Sequence, residues 1–159
     1  MNVSQLSVVG NSFGFVITGA GTNEPAQGGD INGDGLSDIL IGTSNNISVI
    51  YGSKTSIGQV ALAASMGFKL TTTSSIAVPT VVGDVNGDGY EDMLFNNNSN
   101  FTYTLMFGGP NLAPSGGTLT LPTALGTFSN YVTISGTGNF SGYQSTLRGD
   151  FNGDGYADF

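Results

Sequence analysis

Short apolar runs, each a few residues long, alternate along this chain with stretches of Ser, Thr, Asn and Gly, a pattern that favours many strands and turns. The runs recur in a fixed order. Asp38-Ile-Leu-Ile-Gly42, Ile47-Ser-Val-Ile-Tyr-Gly52 and Phe68-Lys-Leu-Thr-Thr72 form one set. Asp92-Met-Leu-Phe95, Phe101-Thr-Tyr-Thr-Leu-Met-Phe-Gly108 and Tyr131-Val-Thr-Ile-Ser135 form a second, preceded by Val78-Pro-Thr-Val-Val82. Phe13-Gly-Phe-Val-Ile-Thr18 matches the last run of each set by position. Four short strands per period is the content of one propeller blade, so the pattern predicts an all-β chain of four-stranded antiparallel units.

Each set is introduced by one acidic segment, present three times: Asp30-Ile-Asn-Gly-Asp34-Gly-Leu-Ser-Asp38, Asp84-Val-Asn-Gly-Asp88-Gly-Tyr-Glu-Asp92 and Asp150-Phe-Asn-Gly-Asp154-Gly-Tyr-Ala-Asp158. Every aspartate of the chain lies in these segments, which therefore hold most of its net charge of -8. Oxygen donors at loop positions 1, 3, 5 and 9, a backbone carbonyl at 7 and glycine at 6 suit a hard cation that takes roughly 6 to 8 oxygens, and calcium fits. The predicted ligands are Asp30, Asn32, Asp34, Leu36 and Asp38; Asp84, Asn86, Asp88, Tyr90 and Asp92; and Asp150, Asn152, Asp154, Tyr156 and Asp158. Leu36, Tyr90 and Tyr156 would act through their carbonyls, leaving the side chains free to pack. Three divalent ions would bring the formal charge from -8 to -2.

The flanks decide what kind of loop this is. A helix-loop-helix module needs a bidentate acid at position 12, where this chain has Ile41 and Phe95. A dockerin pair is set closer and feeds helices, whereas these loops begin 54 and then 66 residues apart and lead into strand-like runs. Tandem glycine-rich nonapeptides are absent between them.

With these residues in place, the sequence resembles the FG-GAP repeats that build the β-propeller of integrin alpha subunits and of many secreted bacterial proteins. The Gly-Asp-x-Asn-Gly-Asp-Gly-x-x-Asp core starts at Gly29, Gly83 and Gly149, and Tyr51-Gly52 and Phe107-Gly108 are similar to the family's strand endings. Phe13-Gly14 stands as a degenerate Phe-Gly element, while Gly42-Thr-Ser and Asn96-Asn-Asn replace the usual Gly-Ala-Pro, the mark of a divergent member. The resemblance implies a partial β-propeller with calcium-binding hairpin loops, its loop units at about 13–66, 67–127 and 128–159, the last truncated. Completing the ring would require the rest of a parent chain or self-association. It also implies a secreted or cell-surface protein in adhesion or ligand recognition, with an extracellular protein or glycan partner met away from the calcium loops.

Composition narrows the function further. The chain has 26 glycines, no cysteine and no histidine among its 159 residues. Three basic residues, Lys54, Lys69 and Arg148, offer no surface for a phosphate backbone, so no nucleic-acid partner is expected. No apolar run is long enough to insert in a membrane, and Met1-Asn-Val-Ser-Gln lacks the basic region of a signal peptide. Ser12 lies in a Gly-x-Ser-x-Gly pattern but has no histidine to serve as base. Glu24 lacks an acidic neighbour in sequence and the aspartates are committed to the loops, so a paired-carboxylate hydrolase is disfavoured. The chain is expected to be no enzyme. An accessory or catalytic part of a secreted polysaccharide-active hydrolase is the alternative, and a structural spacer of a large surface protein a third. The Asn-x-Ser/Thr sequons at Asn2, Asn46, Asn97, Asn100 and Asn139 are those expected by chance in a chain of this composition.

Overall fold

A computed structural model of the chain describes residues 16–18, 25–26, 28–43, 45–54, 59–61, 66–72, 79–97, 102–110, 112, 116–121, 130–135 and 148–158. Ser12, Phe13-Gly14, Glu24 and the sequons at Asn2, Asn100 and Asn139 lie outside them. Among the described residues all regular structure is β, and no helix is long and apolar enough to cross a membrane.

In chain order the strands are β1 (Val16–Thr18), β2 (Pro25–Ala26), β3 (Ile39–Thr43), β4 (Asn46–Ile50), β5 (Gln59–Ala61) and β6 (Gly67–Thr71). They continue as β7 (Thr80–Gly83), β8 (Asp92–Asn97), β9 (Thr102–Met106), β10 (Thr118–Thr120) and β11 (Tyr131–Ser135). β2, β3, β4 and β6 form one antiparallel meander, and β7, β8, β9 and β11 form a second. The first acidic loop joins β2 to β3 and the second joins β7 to β8. The third is closed by an antiparallel bridge between Gly149 and Asp158.

Two short strands stand outside this scheme and explain each other. β10 pairs parallel with β6, and β5 pairs parallel with β1. Each lies in the connection between the third and fourth strands of its own unit, and each adds to an earlier strand. β1 therefore holds, relative to β5, the place that β6 holds relative to β10, which agrees with the positional match of Phe13–Thr18 to a fourth strand. Reaching back across the unit boundary gives the outer edge of β6 a backbone partner that an exposed edge would lack.

Strand alternation sorts the side chains onto two faces. In the first sheet Leu40, Val49 and Phe68 are cross-strand neighbours on one face, with Ile47 and Leu70 beside them. That face packs against Val81, Met93, Phe95 and Met106 of the second sheet, and Ile31 of the first loop joins the same buried cluster. Ile39, Ile41 and Ile50 turn to the opposite side of the first sheet. Val82, Leu94 and Leu105 turn to the opposite side of the second. The molecule is thus a sheet-on-sheet stack whose loops all lie at one end of the strands.

Candidate functional site

The three acidic loops share one hydrogen-bond pattern. The first aspartate accepts from the backbone around it: Gly33 N–H donates to Asp30 Oδ1 at 2.7 Å, Gly87 to Asp84 at 2.7 Å and Gly153 to Asp150 at 2.6 Å. Its other oxygen accepts from the glycine at position 6, at 2.7, 2.8 and 2.8 Å in the three loops. The position-5 N–H donates both to this aspartate and to the asparagine at position 3. Asn32, Asn86 and Asn152 in turn donate from Nδ2 to Asp34, Asp88 and Asp154. Glycine is required at position 6 because the chain turns there with φ of 83°, 89° and 91° at Gly35, Gly89 and Gly155.

The ninth position works differently. Asp38 and Asp92 are buried and tie strand ends together. Asp38 accepts from Ile31 N–H at 2.9 Å and from Gly52 N–H at 2.8 Å, linking the start of the loop to the end of β4. Asp92 accepts from Val85 at 2.9 Å and Gly108 at 2.8 Å in the same way after β9. Asp158 accepts from Phe151 N–H at 2.8 Å.

Burial pushes the Asp38 carboxyl up to about 6 against the opposing effect of its two N–H donors, and the neighbouring Asp34 and Asp30 push it further. Burial raises Asp92 likewise. Asp150, in the open, is held below the usual carboxylate range, foremost by the Gly155 N–H.

Successive loops dock on one another by a repeated set of contacts. Glu91 N–H donates to the carbonyl of Asp30 at 3.0 Å, and Ala157 N–H to that of Asp84 at 2.8 Å. In both cases position 8 of one loop meets position 1 of the loop before. The tyrosine at position 7 follows suit, the ring of Tyr90 lying against Gly33 and that of Tyr156 against Gly87. Gly29 and Gly83, just before their loops, lie against Glu91 and Ala157. The predicted site residues therefore fall into three local groups of five, and the groups are joined edge to edge. Sequence reasoning left out Glu91, Gly52 and Gly108, whose roles depend on which elements meet in space.

Among the described residues no three acidic side chains stand together as a ready-made metal cluster. Each loop satisfies its own carboxylates with backbone amides. The donor set is nevertheless all oxygen, which suits a hard cation and not a soft one. One further acidic atom is without a hydrogen-bond partner: Glu91 Oε2, buried against Gly29 at the margin of the first loop. These residues fit a calcium ion by donor chemistry, and Asp30, Asn32, Asp34, Leu36 and Asp38, with their counterparts in the other loops, are those that could hold one.

Comparison with known proteins gives one match. Residues 30–95 match the family model described as an FG-GAP-like repeat, a span from the first aspartate of the first loop into β8. No curated protein and no solved structure matches the chain.

Proposed function

Because the chain belongs to the FG-GAP repeat family through residues 30–95, we propose that it is a calcium-stabilised, propeller-type segment of a secreted or cell-surface protein, without catalytic activity, serving adhesion or ligand recognition. The observation that carries this reading is the threefold recurrence of one loop whose oxygens face a single short turn, at the same end of a stack of four-stranded sheets. Such loops serve as stiffeners: position 1 gathers the turn's amides, and position 9 clamps the loop to the end of the third strand.

Calcium, when bound, would neutralise the carboxylates of each loop. The chain's own residues do the rest. Asp30, Asp84 and Asp150 hold the turn amides in place, Asp38 and Asp92 fasten the loop to β4 and β9, and the docked position-8 amides keep neighbouring units in register. Ligand recognition would then fall to surfaces other than these aspartates, which are engaged with their own backbone. The partner class that suits an acidic module of this family is an extracellular protein or glycan.

Calorimetric titration with calcium tests the metal part, with about three sites expected, and a chelator should lower the melting temperature. No heat of binding and an unchanged melt would overturn it. A glycan and matrix-protein array tests the recognition part, and hydrolysis of any polysaccharide by the purified chain would overturn the non-catalytic part.

A further inference from the structure

The outward face of the second sheet repeats, in register, a face that is buried in the first. Phe68 lies opposite Val49 and Leu70 opposite Ile47, while Val132 lies opposite Leu105 and Ile134 opposite Tyr103. Leu94 and Leu105 correspond to Leu40 and Val49 by their distance from the loop and from the strand-end glycine. The second sheet covers Phe68 and Leu70, which are 4% and 0% exposed, whereas Val132 and Ile134 are 46% and 40% exposed. The loops show the same step, from Ile31 at 0% to Phe151 at 70%. Together with Tyr156, these are the exposed large hydrophobics among the described residues, and all lie on β11 or the third loop.

We propose that this face is an interaction surface and that it takes a second copy of this chain, the two packing sheet against sheet. The contact continues an interface the fold already contains, since the residues corresponding to Val132, Ile134 and Phe151 bury themselves against a sheet of the same kind. The face is uncharged. β9 and β11 carry only Thr, Tyr, Leu, Met, Val, Ile and Ser, so a strongly charged partner finds nothing there to pair with. The same face of another copy is apolar and similarly twisted, and an isologous two-fold contact needs only self-complementarity. The acidic residues that would oppose association at a net charge of -8 are gathered in the loops at one end of the strands.

Sedimentation velocity of the full chain in calcium buffer, across a range of concentrations, reads this directly. The expected result is a reversible dimer, weakened by about tenfold or more in the Val132→Thr/Ile134→Thr double variant, which removes apolar surface and keeps strand propensity. An unchanged thermal melt shows that the variant is folded. A chain that stays monomeric at every concentration overturns the proposal, as does a dimer that the double variant leaves unaffected or an assembly that grows past the dimer. Calorimetric calcium binding is read separately, so loss of the metal reading and loss of this one are distinct results.

Discussion

The ring of Tyr156 lies against the backbone of Gly87, and Tyr90 stands in the same relation to Gly33 one loop earlier. A side chain from one unit thus closes on the one position of the preceding loop that has no side chain of its own. The contact accompanies an amide-to-carbonyl bond in each case, so register between units is set by two interactions of different kind.

Glycine-to-alanine changes separate docking from backbone strain. Gly87 and Gly153 have nearly the same backbone, with φ of 75° and 78°, so alanine costs each about 1–3 kcal/mol from the left-handed conformation alone. Only Gly87 lies under a ring; among the described residues nothing stands within 4 Å of a Cβ added at Gly153. Gly87→Ala should therefore destabilise by about 1–3 kcal/mol more than Gly153→Ala, the cost of overpacking against Tyr156. Urea melts of the two variants, compared at constant m-value, check it.

The same docking predicts a local effect of Tyr156→Ala. Ala157 N–H bonds to the Asp84 carbonyl at 2.8 Å under the cover of the ring. Removing the ring should speed hydrogen exchange at Ala157 and leave exchange in β3 and β4 unchanged, because those strands sit two units away. Uniform acceleration across the chain would instead mean that the third loop holds the whole fold together.

Much of this fold was legible in the sequence, for a physical reason. β3, β4, β6, β8, β9 and β11 each carry several apolar or β-branched residues, and the loops carry their turn chemistry in full. β2, β5 and β10 are two or three residues long, too short for alternation to register, and Pro25 is a poor strand former except at an edge. The parallel pairing of β5 with β1 and β10 with β6 depends on how units stack, which no local pattern encodes. The loop residues themselves were readable by spacing. Their docking was not, since Tyr90 and Tyr156 show only that a ring is present and say nothing of the glycine it meets.

Aspartates at the ninth position should differ in worth despite their identical place. Asp38 accepts two backbone N–H groups in a buried setting, so Asp38→Ala leaves Ile31 and Gly52 amides without an acceptor, at about 1–3 kcal/mol each. Asp158 is half-buried and accepts from Phe151, in an exposed setting. Asp158→Ala should cost clearly less than Asp38→Ala in a chelator-treated chemical melt, where bound metal cannot mask the difference. Equal losses would show that the strand-end clamp at Gly52 contributes little.

Calcium itself should act in proportion to its occupancy. For a site in the range of about 10⁻⁴ M, typical of the tighter extracellular modules, a hundredfold excess of free ion stabilises the folded chain by about 2.7 kcal/mol per site. Magnesium is smaller, demands near-octahedral geometry and sheds water reluctantly, so it should give much less at the same concentration. Asp34→Asn and Asp88→Asn each remove one carboxylate from one loop, and each should lower the number of titrated sites by one without abolishing the rest. Melting temperature followed against free calcium for the native chain and the two variants reads all three effects. A rise that magnesium reproduces, or that survives both substitutions undiminished, would place the effect in general charge screening and not in the loops.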